Sequence, residues 1–196
     1  MSGIAAYFRL DAQGLRIAPQ VAADDAFCRR LSDAVLREQF VQMGVQGRLL
    51  AVLLDQQFEA QRTGYRQSFP EAEYFVVTER GAAVGRVVTV LEATDAGPQD
   101  RDAPSGRSPE RSRTYDGLRL VDIALLPSAQ GRGIGREVIG GLVRAAGKMG
   151  LRRLTLSVQP SNDRARRLYL RLGFVETGGE ALREMMMPLS GSRQVA

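Results

Sequence analysis

The hydrophobic positions in the first half of the chain predict one strand, two helices and a hairpin, in that order. The segment 14–19 (GLRIAP) has the composition of a short strand. Two amphipathic helices follow over about 23–38 and 48–66, where apolar residues recur every three or four positions. The β-branched runs 73–79 and 83–93 then predict two strands, and the glycine-containing turn between them makes these strands a hairpin.

The second half alternates strands with helices. The patterning predicts strands at 118–126, 151–159, 174–177 and 181–189, and helices at about 133–147 and 162–172. Strand, helix, strand, helix and strand in succession indicate a right-handed α/β arrangement with a central parallel pair of strands.

The segment 95–114 differs in composition from the rest of the chain. It has three prolines, mixed charge and no aliphatic residue larger than alanine, so it cannot bury enough apolar surface to offset the entropy of ordering. We interpret it as a flexible insertion between strands of a single domain spanning 1–196. A loop that orders on a partner is the alternative. A domain boundary is less favoured, because the C-terminal part alone would lack partners for its strands.

The composition excludes several kinds of chemistry. The chain contains no histidine, so Ser-His-Asp or Cys-His catalysis and an HExxH zinc site are excluded. Cys28 is the one cysteine, which excludes an intrachain disulfide and a cysteine metal cluster and fits a reducing compartment. We therefore expect no metal site, and catalysis must use other groups.

The charge of the chain does not by itself point to a partner. The formal net charge is +5, but Lys148 is the only lysine and the arginines are dispersed among acidic residues, so we expect no nucleic-acid partner. No window approaches 18 consecutive apolar residues, so we expect no membrane span. The first residues lack a signal-peptide pattern, and a cytoplasmic location is the expectation.

The segment 125–136 (LLPSAQGRGIGR) joins a predicted strand to a predicted helix and carries three closely spaced glycines. Such glycines let backbone N–H groups converge at a helix N-terminus, where partial positive charge favours an anion. A Walker P-loop requires GxxxxGK[ST] and a dinucleotide fingerprint requires GxGxxG, and the segment satisfies neither. A cradle for another diphosphate and a glycine-rich turn without a ligand both remain open.

A second segment, 156–174 (LSVQPSNDRARRLYLRLGF), favours the cradle. Together the two segments resemble the signatures of the GNAT superfamily of N-acetyltransferases, Q/R-x-x-G-x-G/A and N-x-x-A-x-x-L-Y-x-x-x-G-F. The first signature is matched by Gln130, Gly133 and Gly135, and the second by Asn162, Ala165, Leu168, Tyr169, Gly173 and Phe174. The matches occur in the family's order, separated by one predicted helix and one predicted strand.

The resemblance implies a fold of the α/β class (α+β type). This fold has a GNAT-like mixed, mostly antiparallel sheet of about six to seven strands, a splayed central parallel pair and about four flanking helices. It also implies that acetyl coenzyme A lies between the splayed strands, with the backbone of the fourth strand on its pantetheine arm and the glycine segment on its pyrophosphate. The arginines of that segment suit a phosphate. The expected cofactor-binding residues are Ile123, Ala124, Leu125, Gln130, Gly131, Arg132, Gly133, Ile134, Gly135, Arg136, Asn162 and Tyr169.

The reaction that the resemblance implies is direct attack of a primary amine on the thioester in a ternary complex. Tyr169 would protonate the leaving thiolate, since a phenol and a thiolate have comparable basicity. A core tyrosine packed beside the cofactor is the alternative. The backbone N–H near Leu125 would stabilise the oxyanion as a preorganised donor.

The sequence identifies the base that takes the amine proton less clearly than it identifies the acid. Some relatives carry a glutamate on the fifth strand, where this chain has Ser157, which is no base at neutral pH. Asp122 is the acidic residue of the motif region that could face the cleft, and burying it unpaired would be costly. We assign it a catalytic role; its pairing with Arg119 or Arg86, and a role for Glu92, are alternatives.

The acceptor site would be covered by the first helices and the later strands. We expect Phe58, Gln61, Tyr65 and Tyr74 to bind the substrate, a small-molecule or peptide amine. The chain is expected to be a monomer or a homodimer. An acetyltransferase is the favoured function; the alternative is a non-catalytic module that binds or senses acyl coenzyme A, which the missing fifth-strand glutamate supports.

Overall fold

A computed structural model describes residues 3–94 and 114–189, and these ranges contain seven strands and four α-helices. In chain order they are β1 (Leu15–Pro19), α1 (Asp25–Gln42), α2 (Gly47–Ser68), β2 (Glu73–Glu79), β3 (Ala82–Ala93), β4 (Tyr115–Leu125), α3 (Ile134–Lys148), β5 (Arg153–Val158), α4 (Asp163–Arg171), β6 (Val175–Gly178) and β7 (Arg183–Pro188). The expected insertion at 95–114 lies outside the described residues, apart from Thr114.

The strands form one sheet in the order β1-β2-β3-β4-β5-β7-β6. The β4–β5 pair is parallel, and the other neighbouring pairs are antiparallel. The parallel pair is possible because α3 carries the chain back across one face of the sheet, as a parallel crossover requires. This topology confirms the mixed sheet and the central parallel pair that the signatures imply.

The two parallel strands separate part of the way along their length. They pair from Gly117 with Arg153 to Leu120 with Leu156. Beyond that point, within the described residues, β4 pairs with β3 and β5 pairs with β7. A bulge in β4 at Val121, where the register with β3 shifts by one residue, bends the strand at the start of the separation.

Apolar side chains cover both faces of the sheet and form two cores. On one face, α3, α4 and the segment that begins the described chain bury a large cluster that includes Phe8, Leu142 and Phe174. On the other face, α1 and α2 bury a smaller cluster around Phe27 and Phe58. Because side chains alternate along a strand, the sheet presents different residues to the two layers.

The first two helices each extend a few residues beyond the C-terminal bounds that the sequence pattern predicts. The second helix continues past Gly64 to Ser68, although a helical glycine costs about 1 kcal/mol relative to alanine. Burial of Leu50, Leu54 and Phe58 on one face of the same helix offsets that cost.

Candidate active site

The separation of β4 and β5 opens a cleft of about 390 Å³. Its walls come from the ends of both strands, with Asp122 and Ile123 on β4 and Ser157 on β5. Gln61 and Tyr65 of α2, and Tyr169 of α4, close it from the two sides. The cleft therefore brings together residues predicted separately as catalytic, cofactor-binding and substrate-binding.

The glycine segment enters α3 in a conformation that suits an anion. Gly131 and Gly133 have φ angles of +77° and +85°, which other residues rarely adopt. A Cβ atom at Gly133 would meet nothing within 4 Å, so the approach to the backbone is open. Gly133 is the N-cap, and the first N–H groups of an α-helix have no partner within the helix. These features fit the pyrophosphate of a coenzyme.

Gln130 and Arg164 connect the glycine segment to β4 and α4. Gln130 Nε2 donates to the carbonyl oxygen of Leu125 at 3.1 Å, and Arg164 Nη1 donates to Gln130 Oε1 at 3.1 Å. A Cβ atom at Gly131 would lie 3.2 Å from Arg164 Nη2. Arg164 therefore adds a cation beside the loop that the signatures alone did not single out.

The other expected cofactor residues take different positions around the loop. Arg132 pairs with Glu79 at 2.7 Å, whereas Arg136 lies on the exposed side of α3. Asn162 lines the cleft, but its side chain caps α4 by accepting from the Ala165 N–H at 3.1 Å. Its most direct role in the structure is therefore to fix the start of α4.

Tyr169 is buried at the side of the cleft. Its ring packs against Phe174 with 5.7 Å between centroids, in the large core cluster. Burial, and then the charge of Asp122, raise the pKa of Tyr169 to about 12. The phenol thus combines a packing role with a position on the cleft wall, and it stays protonated at neutral pH.

Asp122 forms a network with a buried arginine of the neighbouring strand. Arg86 donates to Asp122 Oδ2 from Nη2 at 2.8 Å and from Nε at 3.2 Å. Arg86 Nη2 also donates to Gln61 Oε1 at 3.2 Å. Burial opposes the charged guanidinium, but the carboxylate more than compensates, so the pKa of Arg86 is raised. Of the two pairings considered for Asp122, with Arg119 or with Arg86, the structure contains the pairing with Arg86.

Tyr65 extends this network toward the acceptor side. Gln61 Nε2 donates to the Tyr65 hydroxyl at 2.9 Å. Burial, followed by the charge of Asp122, raises the pKa of Tyr65 above its ordinary value. Gln61 and Tyr65 are thus at the cleft, held by the same contacts that orient Asp122.

Two of the four expected acceptor residues do not line this cleft. Phe58 is buried in the smaller core, and the Arg29 guanidinium lies 5.1 Å from its ring centroid. Tyr74 lies on β2, and its hydroxyl is buried without a hydrogen-bond partner among the described residues. The helical pattern around Phe58 indicated an apolar face, which the structure uses for packing.

A second polar cluster lies on β5 and β7 beside the cleft. Ser157 Oγ donates to Glu184 Oε1 at 2.7 Å. Arg119 donates to Ser157 Oγ and forms an ion pair of 3.1 Å with Glu184 Oε2. Glu92, the third alternative for the base, lies 3.7 Å from Arg119 and accepts from the Thr155 hydroxyl at 2.9 Å.

Sequence reasoning gave Arg86 and Glu184 no functional role. A signal existed for Arg86, because it is a single charge in the apolar run AVGRVVTV, and such a charge needs a buried partner. Glu184 gave no signal, since only the register of β7 against β5 places it opposite Ser157.

Comparison with known proteins identifies the family. The sequence model described as "Acetyltransferase (GNAT) family" matches residues 48–174, more than half of the chain. The chain belongs to the GNAT acetyltransferase family. This confirms the resemblance to GNAT N-acetyltransferases that the two signatures carry.

Individual relatives are distant. A 58-residue stretch is 38% identical to the uncharacterized N-acetyltransferase YycN of Bacillus subtilis (strain 168); it covers 30% of this chain and 37% of that protein. The PaiA N-acetyltransferase of Thermoplasma acidophilum, solved in complex with coenzyme A, superposes with a TM-score of 0.61 at 12% identity over 89% of this chain and 98% of that one. An acetyltransferase from Thermus thermophilus gives a TM-score of 0.57 at 22% identity, and the match covers 89% of this chain and 97% of that one. These likenesses show the fold.

Neither a membrane-spanning helix nor a metal cluster is found in the described part of the GNAT chain. None of its helices there is both long and apolar enough to cross a membrane. Residues 3–94 and 114–189 also contain no group of three or more acidic, cysteine or histidine side chains that could hold a metal ion.

Proposed function

We propose that the protein transfers an acetyl group from acetyl coenzyme A to a primary amine by direct attack in a ternary complex. The observation that carries this proposal is the cleft between β4 and β5, which has a buried tyrosine and a carboxylate on its walls; the open glycine cradle lies between the end of β4 and the start of α3. The acceptor is a small-molecule or peptide amine. We further propose a cytoplasmic location and a monomeric or homodimeric state, without nucleic-acid or membrane partners.

Backbone groups bind the cosubstrate in this proposal. The N–H groups from Gly131 to Arg136 hold the pyrophosphate at the α3 N-terminus, with the side chains of Gln130, Arg132, Arg136 and Arg164 beside it. The Ile123–Leu125 backbone, which has no β5 partner there among the described residues, bonds the pantetheine arm. Acetyl coenzyme A supplies the acetyl group as an activated thioester.

Three groups of the chain share the chemistry. The Leu125 N–H donates to the thioester carbonyl oxygen as negative charge develops there. Tyr169, which lines the cleft and is protonated at neutral pH, donates its proton to the departing sulfur. Asp122 accepts a proton from the acceptor nitrogen. Two observations support this role for Asp122. It lies on the cleft wall, and both hydrogen bonds from Arg86 go to its Oδ2, so Oδ1 is outside the ion pair.

The acceptor enters from the α2 side. Gln61 and Tyr65 line the cleft there and contact one another, and Gln61 also contacts Arg86. An amine bound against these side chains lies beside Asp122.

A second function is supported by one observation. The fifth strand presents Ser157 rather than a carboxylate, as in a module that binds acyl coenzyme A without turning it over. Such a module would keep the cradle and lose the proton acceptor.

Release of coenzyme A from acetyl coenzyme A, measured with n-butylamine, spermidine and a lysine-containing tripeptide, separates the two functions. Turnover that falls in Tyr169→Phe and Asp122→Asn, with coenzyme A affinity retained, supports the enzyme. Calorimetric binding of coenzyme A without turnover on any amine supports the module. Absence of binding rejects both.

A further inference from the structure

We propose that Ser157 and Glu184 form a proton relay that carries a proton from the acceptor amine out of the cleft. Ser157 is the member that faces the amine, and Glu184 is the base behind it. This inference rests on the acetyltransfer reaction proposed above. It identifies a second carboxylate for that reaction, on a strand that neither family signature includes.

The position of Ser157 follows from where the sheet opens. The parallel pairing ends at Leu120 with Leu156, so the next residue of β5, Ser157, is the first beyond the point of separation. On β4 the bulge residue Val121 is the first residue beyond that point and Asp122 is the second, and Asp122 and Ser157 both line the cleft. An amine that reaches the thioester through this cleft therefore lies between Asp122 and Ser157.

The hydrogen bonds of Ser157 fix the orientation of its hydroxyl group. Its proton is donated to Glu184 Oε1 at 2.7 Å, and its oxygen accepts from Arg119. A hydroxyl has two lone pairs, so one remains to accept from an N–H in the cleft. A serine alone is no base at neutral pH, but one hydrogen-bonded to a carboxylate can pass a proton on.

Exposure distinguishes the two carboxylates. The Asp122 side chain is 17% exposed and is paired with Arg86, itself 10% exposed. The Glu184 side chain is 39% exposed, so it can release a proton directly to water. Arg119 holds Glu184 at 3.1 Å and keeps its carboxylate turned toward Ser157.

The proton count of the reaction leaves one proton to be carried out of the cleft. A primary ammonium ion loses two protons when it becomes an amide, while the sulfur gains one, so one proton is released overall. In the relay an N–H bond breaks as a Ser157 O–H bond forms. The original Ser157 O–H bond breaks as a Glu184 O–H bond forms, and Glu184 then deprotonates into water. Asp122 accepts the other nitrogen proton, and this proton replaces the one that Tyr169 donates to the sulfur, so that each group returns to its starting protonation state.

The test compares Glu184→Gln, Ser157→Ala and the double variant with wild type, using the amine of the panel that is turned over fastest. Glu92→Gln is the matched control, because Glu92 also pairs with Arg119 but is not bonded to Ser157. We expect kcat to fall at least about tenfold in each relay variant, within the range of general base catalysis. The double variant should fall no more than about twofold further, since both changes break one route.

Two other readouts separate a relay from a structural role. The deficit of Glu184→Gln should shrink as the pH rises, because more of the amine is already deprotonated in solution. Coenzyme A affinity by calorimetry and the urea midpoint of the ligand-free chain should match those of Glu92→Gln.

Specific results would overturn the relay while leaving the proposed function standing. The relay is wrong if kcat of Glu184→Gln is within twofold of wild type. It is also wrong if Ser157→Ala is as active as wild type while Glu184→Gln is defective, or if the loss of kcat in Glu184→Gln does not depend on pH. Failure of the wild-type chain to turn over any amine would instead reject the proposed function, and the relay with it.

Discussion

Arg86 Nη2 lies 2.8 Å from Asp122 Oδ2, and this ion pair joins β3 to β4 at the edge of the cleft. Both side chains are largely buried, and the pair connects the proposed acceptor helix, through Gln61, to the strand that would bind the cosubstrate. A charge buried with a partner is costly once that partner is removed. The same pair therefore matters to both stability and orientation at the site.

Replacing Arg86 by methionine should destabilise the fold by about 3–5 kcal/mol, because Asp122 would remain buried without its partner. The double variant Arg86→Met with Asp122→Leu should recover much of this loss. Urea unfolding at pH 7 measures both. Arg132→Met is the control, since the Arg132–Glu79 pair is exposed and should contribute at most about 1 kcal/mol. Equal losses in the two single variants would contradict the prediction.

Replacing Tyr169 by phenylalanine should lower kcat by roughly 10²–10⁴, the usual contribution of a general acid. Coenzyme A affinity should stay within about twofold, because the ring remains packed on Phe174. Steady-state coenzyme A release and calorimetry provide the two measurements. A normal kcat in this variant would leave the tyrosine with its packing role alone.

The raised pKa of Tyr169 predicts a loss of stability at alkaline pH. An unfolded tyrosine ionises near pH 10, whereas the folded one does so at about 12. The stabilising contribution is therefore complete below pH 10 and is lost as the pH rises toward 12, at roughly 1 kcal/mol per pH unit for one proton. Tyr65, with its pKa also raised, adds to the decline. Wild type should therefore lose unfolding free energy relative to Tyr169→Phe between pH 9.5 and pH 11.5, and a pH-independent difference between the two proteins would contradict the prediction.

Replacing Gly133 by alanine tests the cradle. The φ angle of +85° should cost about 1–2 kcal/mol in an alanine, and the N–H groups at the α3 N-terminus would be reoriented. Gly150 is a matched control, because its φ is +72° and a Cβ there also meets nothing within 4 Å. Both variants should lose similar stability in thermal unfolding. Only Gly133→Ala should lose coenzyme A affinity, by at least about tenfold, in calorimetry.

The sequence was most informative where chemistry depends on backbone conformation. The spacing of Gly131 and Gly133 predicted a turn into α3, and both adopt positive φ. Local pattern could not distinguish a cleft residue from a core residue on one helix, so Phe58 and Gln61 were grouped although only Gln61 reaches the cleft. The contact of Ser157 with Glu184 depends on strand register, which local sequence does not determine.

Gly85 provides a test of the β4 backbone from outside the cleft. It lies on β3 directly opposite Leu125, and a Cβ atom there would meet Leu125 Cδ2 at 2.4 Å and the Ala124 carbonyl oxygen at 2.7 Å. Because the second contact is with backbone, Gly85→Ala must shift β3 and the Ala124–Leu125 segment relative to one another. We expect coenzyme A affinity and kcat each to fall at least about fivefold. Gly64→Ala, near the C-terminal end of α2 where a Cβ would meet nothing within 4 Å, should instead add up to about 1 kcal/mol of stability and leave affinity unchanged. Wild-type coenzyme A affinity and turnover in Gly85→Ala would contradict this prediction.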